Sequence, residues 1–147
     1  MRIAVGSDHA GFEMPEPFYK PEIMDYLTAK GHEVIDCGTN GPESVDYPDF
    51  AERVCRAILS GEAERGVLIC GTGMGISMAA NRHRGIRAAV VVTSEMAELS
   101  RSHNNANVIC LGRRTTTLEA CKAYIDIWLE TPYSGGERHN RRIAKMG

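Results

Sequence analysis

The chain has 147 residues, 43% of them hydrophobic and 24% charged, which predicts one globular domain with a substantial core. Its net charge of −2 argues against a general nucleic-acid-binding protein, and no apolar run is long enough to span a membrane. The 5 cysteines show no metal-type spacing and leave an odd one over, which indicates a reduced, cytoplasmic protein. We expect no cleavable leader, because Met1 leads directly into a predicted strand.

Short apolar runs alternate with amphipathic stretches along the chain. The runs predict strands at Arg2 to Ser7, Glu33 to Asp36, Val67 to Cys70, Arg87 to Val92 and Val108 to Leu111. The stretches predict helices after Pro21, near Pro48, over Ser77 to Arg82, over Ser94 to Ser102, and after the capping pair Thr116 and Glu119. This alternation predicts an α/β fold, a parallel sheet covered by helices on both faces.

Ligands of such sheets bind beyond the carboxyl ends of the strands. Three polar segments follow predicted strands in this way: Asp8 to Gly11, Cys37 to Tyr47, and the glycine-rich turn after Cys70. The loop from Ser102 to Asn105 precedes a strand instead, so this rule does not place it.

The glycine-rich turn, Gly71 to Gly75, is the most informative segment. It joins a buried strand to a helix, so its backbone N–H groups can hold an anion. Cys70 at the rim of that site is biased towards thiolate. An anion hole beside a base indicates proton abstraction next to a carbonyl. A dinucleotide-binding turn is the alternative, but it requires an acidic residue after the second strand, and none occurs before Glu95.

Other reactive side chains have structural alternatives. Cysteines 55 and 121 occupy apolar helical positions, and cysteines 37 and 110 lie at strand ends, so we expect all four to be structural. His9 follows a strand end and is a functional candidate, whereas His103 is a candidate helix cap. Arg138 and Arg142 are four apart, so on a helix they could grip one phosphate rather than belong to a solvated tail. No ligand spacing supports a metal site.

The motifs together resemble the type B ribose-5-phosphate isomerases, a family that also includes allose-6-phosphate and galactose-6-phosphate isomerases. In order along the chain they are Gly6-Ser7-Asp8-His9-Ala10-Gly11-Phe12, Val45-Asp46-Tyr47-Pro48, Ile69-Cys70-Gly71-Thr72-Gly73-Met74-Gly75-Ile76-Ser77, Ala80-Asn81, Gly85-Ile86-Arg87-Ala88, Ser100-Arg101-Ser102-His103-Asn104, and Gly135-Gly136 with Arg138-His139. The resemblance implies a three-layer α/β/α, Rossmann-like sandwich with a five-stranded parallel sheet in the order 2-1-3-5-4. It also implies a metal-free, cofactor-free aldose–ketose isomerase of the pentose phosphate pathway, acting as a homodimer or tetramer with sites at the subunit interface.

The resemblance also implies residue roles. Cys70 would move the proton between C2 and C1, with Thr72 and the backbone of Gly71, Gly73, Met74 and Gly75 holding the enediolate oxygen. His103 would assist ring opening and Asn104 would lie near the enediolate. Asp8, Asp46 and Tyr47 would contact the sugar, and His9, Arg114, Arg138 and Arg142 would bind the phosphate.

Two departures from the family pattern bear on substrate choice. Residues 14–19 form an insertion that its prolines keep out of the first helix. We expect it beside the loop that follows the first strand, where it would reshape the sugar end of the pocket. Glu137 lengthens the tail, 131–147, which we expect to reach a neighbouring subunit. Ribose 5-phosphate is the expected substrate, with a six-carbon or four-carbon sugar phosphate as the enzyme alternative. A non-catalytic sugar-phosphate-binding module would need the glycines and arginines but neither Cys70 nor His103.

Overall fold

Five parallel strands form the centre of the computed structural model, which describes residues 1–147. They are β1 (Arg2–Ser7), β2 (Glu33–Asp36), β3 (Arg65–Cys70), β4 (Ala88–Val90) and β5 (Val108–Gly112). Their order across the sheet is β2-β1-β3-β5-β4, which confirms the predicted order. The carboxyl ends of all five strands therefore lie along one edge of the sheet.

Helices cover both faces of the sheet, so the predicted three-layer fold is also confirmed. They are the 3-10 turn His9–Phe12 and α1 (Tyr19–Ala29), α2 (Tyr47–Leu59), α3 (Met74–Ala80), α4 (Ser94–Ser102), α5 (Leu118–Glu130) and α6 (Glu137–Met146). None of these helices has the length and apolar character needed to cross a membrane.

Helix starts differ from the sequence prediction in three places. Helix α1 begins at Tyr19, two residues before Pro21. Pro21 fits there because the N–H groups of the first turn have no partner within the helix, so a residue without an N–H loses no hydrogen bond. Helix α3 begins at Met74, three residues early, because Gly73 at φ 81 ends the turn there. The cap of α5 is Thr117, whose side chain accepts a hydrogen bond from the Ala120 N–H, so the predicted cap at Thr116 is wrong by one residue.

Each face of the sheet has its own hydrophobic core. Helices α1, α4 and α5 cover one face, where Trp128 is the largest fully buried side chain. Helices α2 and α3 cover the other face, to which Cys70 contributes. Helix α2 packs directly against two glycines of the sheet: a Cβ added at Gly66 or Gly6 would lie 2.5 or 2.9 Å from the methyl groups of Val54. These two glycines therefore set the height of α2 above the sheet.

Candidate active site

The carboxyl ends of three neighbouring strands bring the first group of candidate residues together. Ser7 is paired with Ile69, and Cys70 is level with Gly112. The Asp8 N–H donates to the Ile69 carbonyl at 3.2 Å, and the Arg114 N–H donates to the Gly71 carbonyl at 2.8 Å. This register places Asp8, Cys70 and Arg114 at one end of the sheet.

Cys70 lies under the glycine-rich turn and is only 5% exposed. The Gly73 N–H donates a hydrogen bond to Cys70 Sγ at 3.1 Å. Thr72 Oγ1 accepts from the Met74 N–H at 3.2 Å. The N–H groups of Thr72 and Gly75 have no acceptor within the protein, so they can donate to a bound anion.

Tyr47 forms one wall beside this turn. A Cβ at Gly75 would lie 2.7 Å from the Tyr47 ring, so the ring and the turn are in close contact, and Tyr47 remains 38% exposed. Asp46 precedes α2 without capping it through its side chain, which leaves its exposed carboxylate available to a ligand. Asp8 is 7% exposed and its carboxylate accepts from the Ala10 N–H at 2.9 Å.

One nitrogen of the His9 ring is already hydrogen-bonded within the protein. Its Nδ1 accepts from the Val45 N–H at 3.2 Å, so the proton of the neutral ring lies on Nε2. His9 Nε2 is therefore the nitrogen that can donate to a ligand.

Arg114 forms a bidentate ion pair with Glu13, a residue that the sequence pattern did not single out. Nε lies 3.1 Å and Nη2 2.6 Å from Glu13 Oε1. This hydrogen bond, although opposed by partial desolvation, lowers the pKa of Glu13. Arg113 Nη2 also lies 3.4 Å from the carbonyl oxygens of Glu13 and Pro15. The inserted segment therefore lies against Arg113, and its effect on the sugar end of the pocket stays a prediction.

The remaining candidates form a second cluster. The His103 ring stacks on His139 of α6, with 4.3 Å between centroids. Desolvation and the positive charges of His103, Arg138 and Arg142 lower the pKa of His139. Arg138 and Arg142 are exposed on α6, and the exposed Asn104 donates to the Leu99 carbonyl at 3.3 Å.

The two clusters lie at opposite edges of the sheet. His103 and Asn104 precede β5, whereas Cys70 is level with the end of that strand. Four steps along β5 span roughly 13 Å, so His103 and Cys70 of one chain lie towards opposite ends of that strand. No hydrogen bond or ion pair joins the clusters.

The other four cysteines are suited to a structural role. Burial raises the pKa of both Cys55 and Cys121 to about 12, and raises the pKa of Cys37 and Cys110 in the same direction. All five thiols are free. No three His, Cys, Asp or Glu side chains are grouped so that they could hold a metal ion.

Comparisons with known proteins cover nearly the whole chain. The family described as Ribose/Galactose Isomerase matches residues 3–146. Ribose-5-phosphate isomerase B of Escherichia coli (strain K12) is 47% identical over 145 residues, which are 99% of this chain and 93% of that protein.

Two solved structures have the same architecture. Ribose-5-phosphate isomerase B of Clostridium thermocellum superposes with a TM-score of 0.94 at 51% identity, covering 100% of this chain and 95% of the other. The ribose 5-phosphate isomerase of Thermotoga maritima superposes with a TM-score of 0.92 at 52% identity, covering 99% and 96%.

Proposed function

The chain belongs to the ribose/galactose isomerase family, and we propose that it interconverts ribose 5-phosphate and ribulose 5-phosphate through an enediolate. The observation that carries the mechanism is Cys70 Sγ lying under the glycine-rich turn and accepting the Gly73 N–H. Base and anion hole are thereby side by side, which is the arrangement that proton abstraction next to a carbonyl requires.

The proposed reaction is a proton transfer within one substrate molecule. The Cys70 thiolate removes the proton from C2 of the open-chain aldose, and the C2–H electrons form the C1–C2 double bond of the enediolate. The N–H groups of Thr72 and Gly75 stabilise the negative oxygen as it develops. The Cys70 thiol then returns the proton to C1 while the hydroxyl proton on O2 passes to O1, which leaves a hydroxyl at C1 and a carbonyl at C2 and regenerates the thiolate.

The substrate lies across the carboxyl edge of the sheet in this proposal. Asp8, Asp46 and Tyr47 contact the sugar hydroxyls, while His9 and Arg114 bind the phosphate. The free Nε2 of His9, the uncapped carboxylate of Asp46 and the exposed Tyr47 ring support these roles.

The partner subunit supplies the second cluster. We infer a homodimer, or a tetramer built from such dimers, in which His103 and Asn104 of one subunit approach Cys70 of the other. Arg138 and Arg142, in the tail 131–147, then reach the phosphate across the interface. The opposite-edge positions of the clusters support this inference, as does the exposure of both arginines. His103 assists opening of the sugar ring there by general acid–base catalysis.

One experiment tests which sugar phosphate is the substrate. We compare kcat/KM on ribose 5-phosphate, allose 6-phosphate, galactose 6-phosphate and erythrose 4-phosphate, with a chelator present. Preference for ribose 5-phosphate supports the proposal, and preference for another sugar keeps the mechanism but changes the substrate. No turnover on any of them would favour a sugar-phosphate-binding module. Loss of activity in chelator that zinc or magnesium restores would overturn the metal-free mechanism.

The five free thiols agree with a cytoplasmic location.

A further inference from the structure

The guanidinium of Arg114 offers two edges for paired hydrogen bonds, and Glu13 uses only one of them. Its carboxylate engages the edge formed by Nε and Nη2, at 3.1 and 2.6 Å. Nη1 has no acceptor within the protein. The edge formed by Nη1 and Nη2 therefore still has donors for a second anion.

The free donor of Arg114 lies directly above the glycine-rich turn. A Cβ at Gly71 would lie 2.9 Å from Nη1 and 3.4 Å from Cζ, so the guanidinium is against the Gly71 backbone. Gly71 follows Cys70 directly. An anion bound to Nη1 would consequently lie within one substrate length of the thiol.

Contacts of Arg113 with the backbone around Glu13 hold that residue in place. Arg113 Nη2 lies 3.4 Å from both the Glu13 and the Pro15 carbonyl oxygens. The Arg113 guanidinium also lies over the Tyr19 ring, 4.8 Å from its centroid, and the Tyr19 hydroxyl donates to the Thr116 carbonyl at 2.6 Å. The segment that carries Glu13 is thus tied both to the end of β5 and to α1.

We propose that Glu13 is a positioning residue: it fixes the Nε edge of Arg114 so that the Nη1 edge faces the phosphate of the substrate. The proposal rests on the proposed function, because it assumes that Arg114 binds the phosphate. Fixing the guanidinium before binding reduces the conformational entropy lost when the phosphate is bound. The alternative is competition, in which the Glu13 carboxylate occupies a place that the phosphate needs.

The two roles predict opposite changes in the Glu13→Gln variant. Positioning predicts that KM for ribose 5-phosphate and the dissociation constant of inorganic phosphate both rise, by up to about fivefold for an exposed ion pair, while kcat stays within about twofold. Glu13→Asp should recover part of the loss, because it retains the carboxylate. Glu52→Gln is the matched control, since it removes the 2.6 Å partner of Arg56 on the surface of α2 and should leave both constants unchanged.

A double-mutant cycle with Arg114→Lys separates positioning from a general structural role. Lysine presents a single ammonium without two edges, so Glu13→Gln should have little further effect on phosphate affinity in that background. An undiminished effect there, or a lowered KM in Glu13→Gln alone, would overturn the proposal, and the lowered KM would establish competition. Failure of the proposed function is distinguishable, because wild-type protein would then turn over none of the sugar phosphates. Calorimetric titration with inorganic phosphate tests Glu13 even in that case.

Discussion

Mixing two inactive variants tests whether each active site is shared between subunits. Cys70→Ala removes the proposed base at one edge of the sheet, and His103→Asn removes the proposed acid–base group at the other. Each variant alone should be inactive on ribose 5-phosphate. Because the two side chains of one chain lie towards opposite ends of β5, which is roughly 13 Å long, a hybrid dimer should contain one site with both groups intact and one with neither.

The expected recovery follows from counting sites. Random pairing of equal amounts gives about one half hybrid dimers, each with one intact site of two, so activity should return to about one quarter of wild type. The variants are unfolded together and refolded, or co-expressed with two affinity tags so that hybrids can be isolated. Isomerase activity is then measured against the separately refolded parents.

A mirror experiment provides the control. Chains carrying both Cys70→Ala and His103→Asn are mixed with an equal amount of wild-type chains. Shared sites predict that hybrids are inactive and that about one quarter of the activity remains, whereas sites within one chain would leave about one half. No recovery in the first mixture, together with one half in the second, would refute the shared site.

Three further predictions concern the thiol, the turn and the stability of the fold. Cys70→Ala should abolish exchange of the C2 proton with deuterated solvent, measured by NMR, while calorimetry shows phosphate affinity unchanged; retained exchange would place the base elsewhere. Gly75→Ala should lower kcat/KM by at least about tenfold, because the new methyl group would push Tyr47 away, and an unchanged value would contradict the close contact. Burial opposes ionisation of Asp36, but its hydrogen bonds from Lys20 and the Gly38 N–H outweigh burial and lower its pKa. The unfolding free energy in urea should therefore fall as the pH drops below about 4, and Asp36→Asn should flatten this dependence; an equal slope in the variant would assign the effect to other carboxylates.

The local, repeated signals of the sequence were sufficient for the α/β class, whereas the strand order came from the family resemblance. Alternating apolar runs and amphipathic stretches predict parallel strands and helices, and the bounds of β1, β2 and α4 agree with that prediction to the residue. The start of α3 was misplaced because glycines lower helix propensity, and only the backbone shows that the turn ends at Gly73. The rule on carboxyl ends correctly predicted the first cluster, including Asp8 and Cys70.

Glu13 could not be found in the same way. It is 101 residues from Arg114 along the chain, and neither its spacing nor its neighbours mark it as functional. The rule on carboxyl ends did not place His103 either, because its loop precedes a strand. Only the family resemblance gave His103 a role and put the sites at a subunit interface, and the shared site stays a prediction.

The close approach of α2 to the sheet has a consequence for substitutions at the amino end of β3. Gly66 lies at the beginning of β3, far from Cys70 along the strand, and a methyl group there would collide with Val54. The helix would have to rise, and Tyr47 at its first turn would move away from Gly75. A substitution at Gly66, at the opposite end of β3 from Cys70, would therefore change the shape of the proposed pocket. Directed evolution for altered sugar preference can therefore include Gly66 among the positions to vary, although it lies away from Cys70.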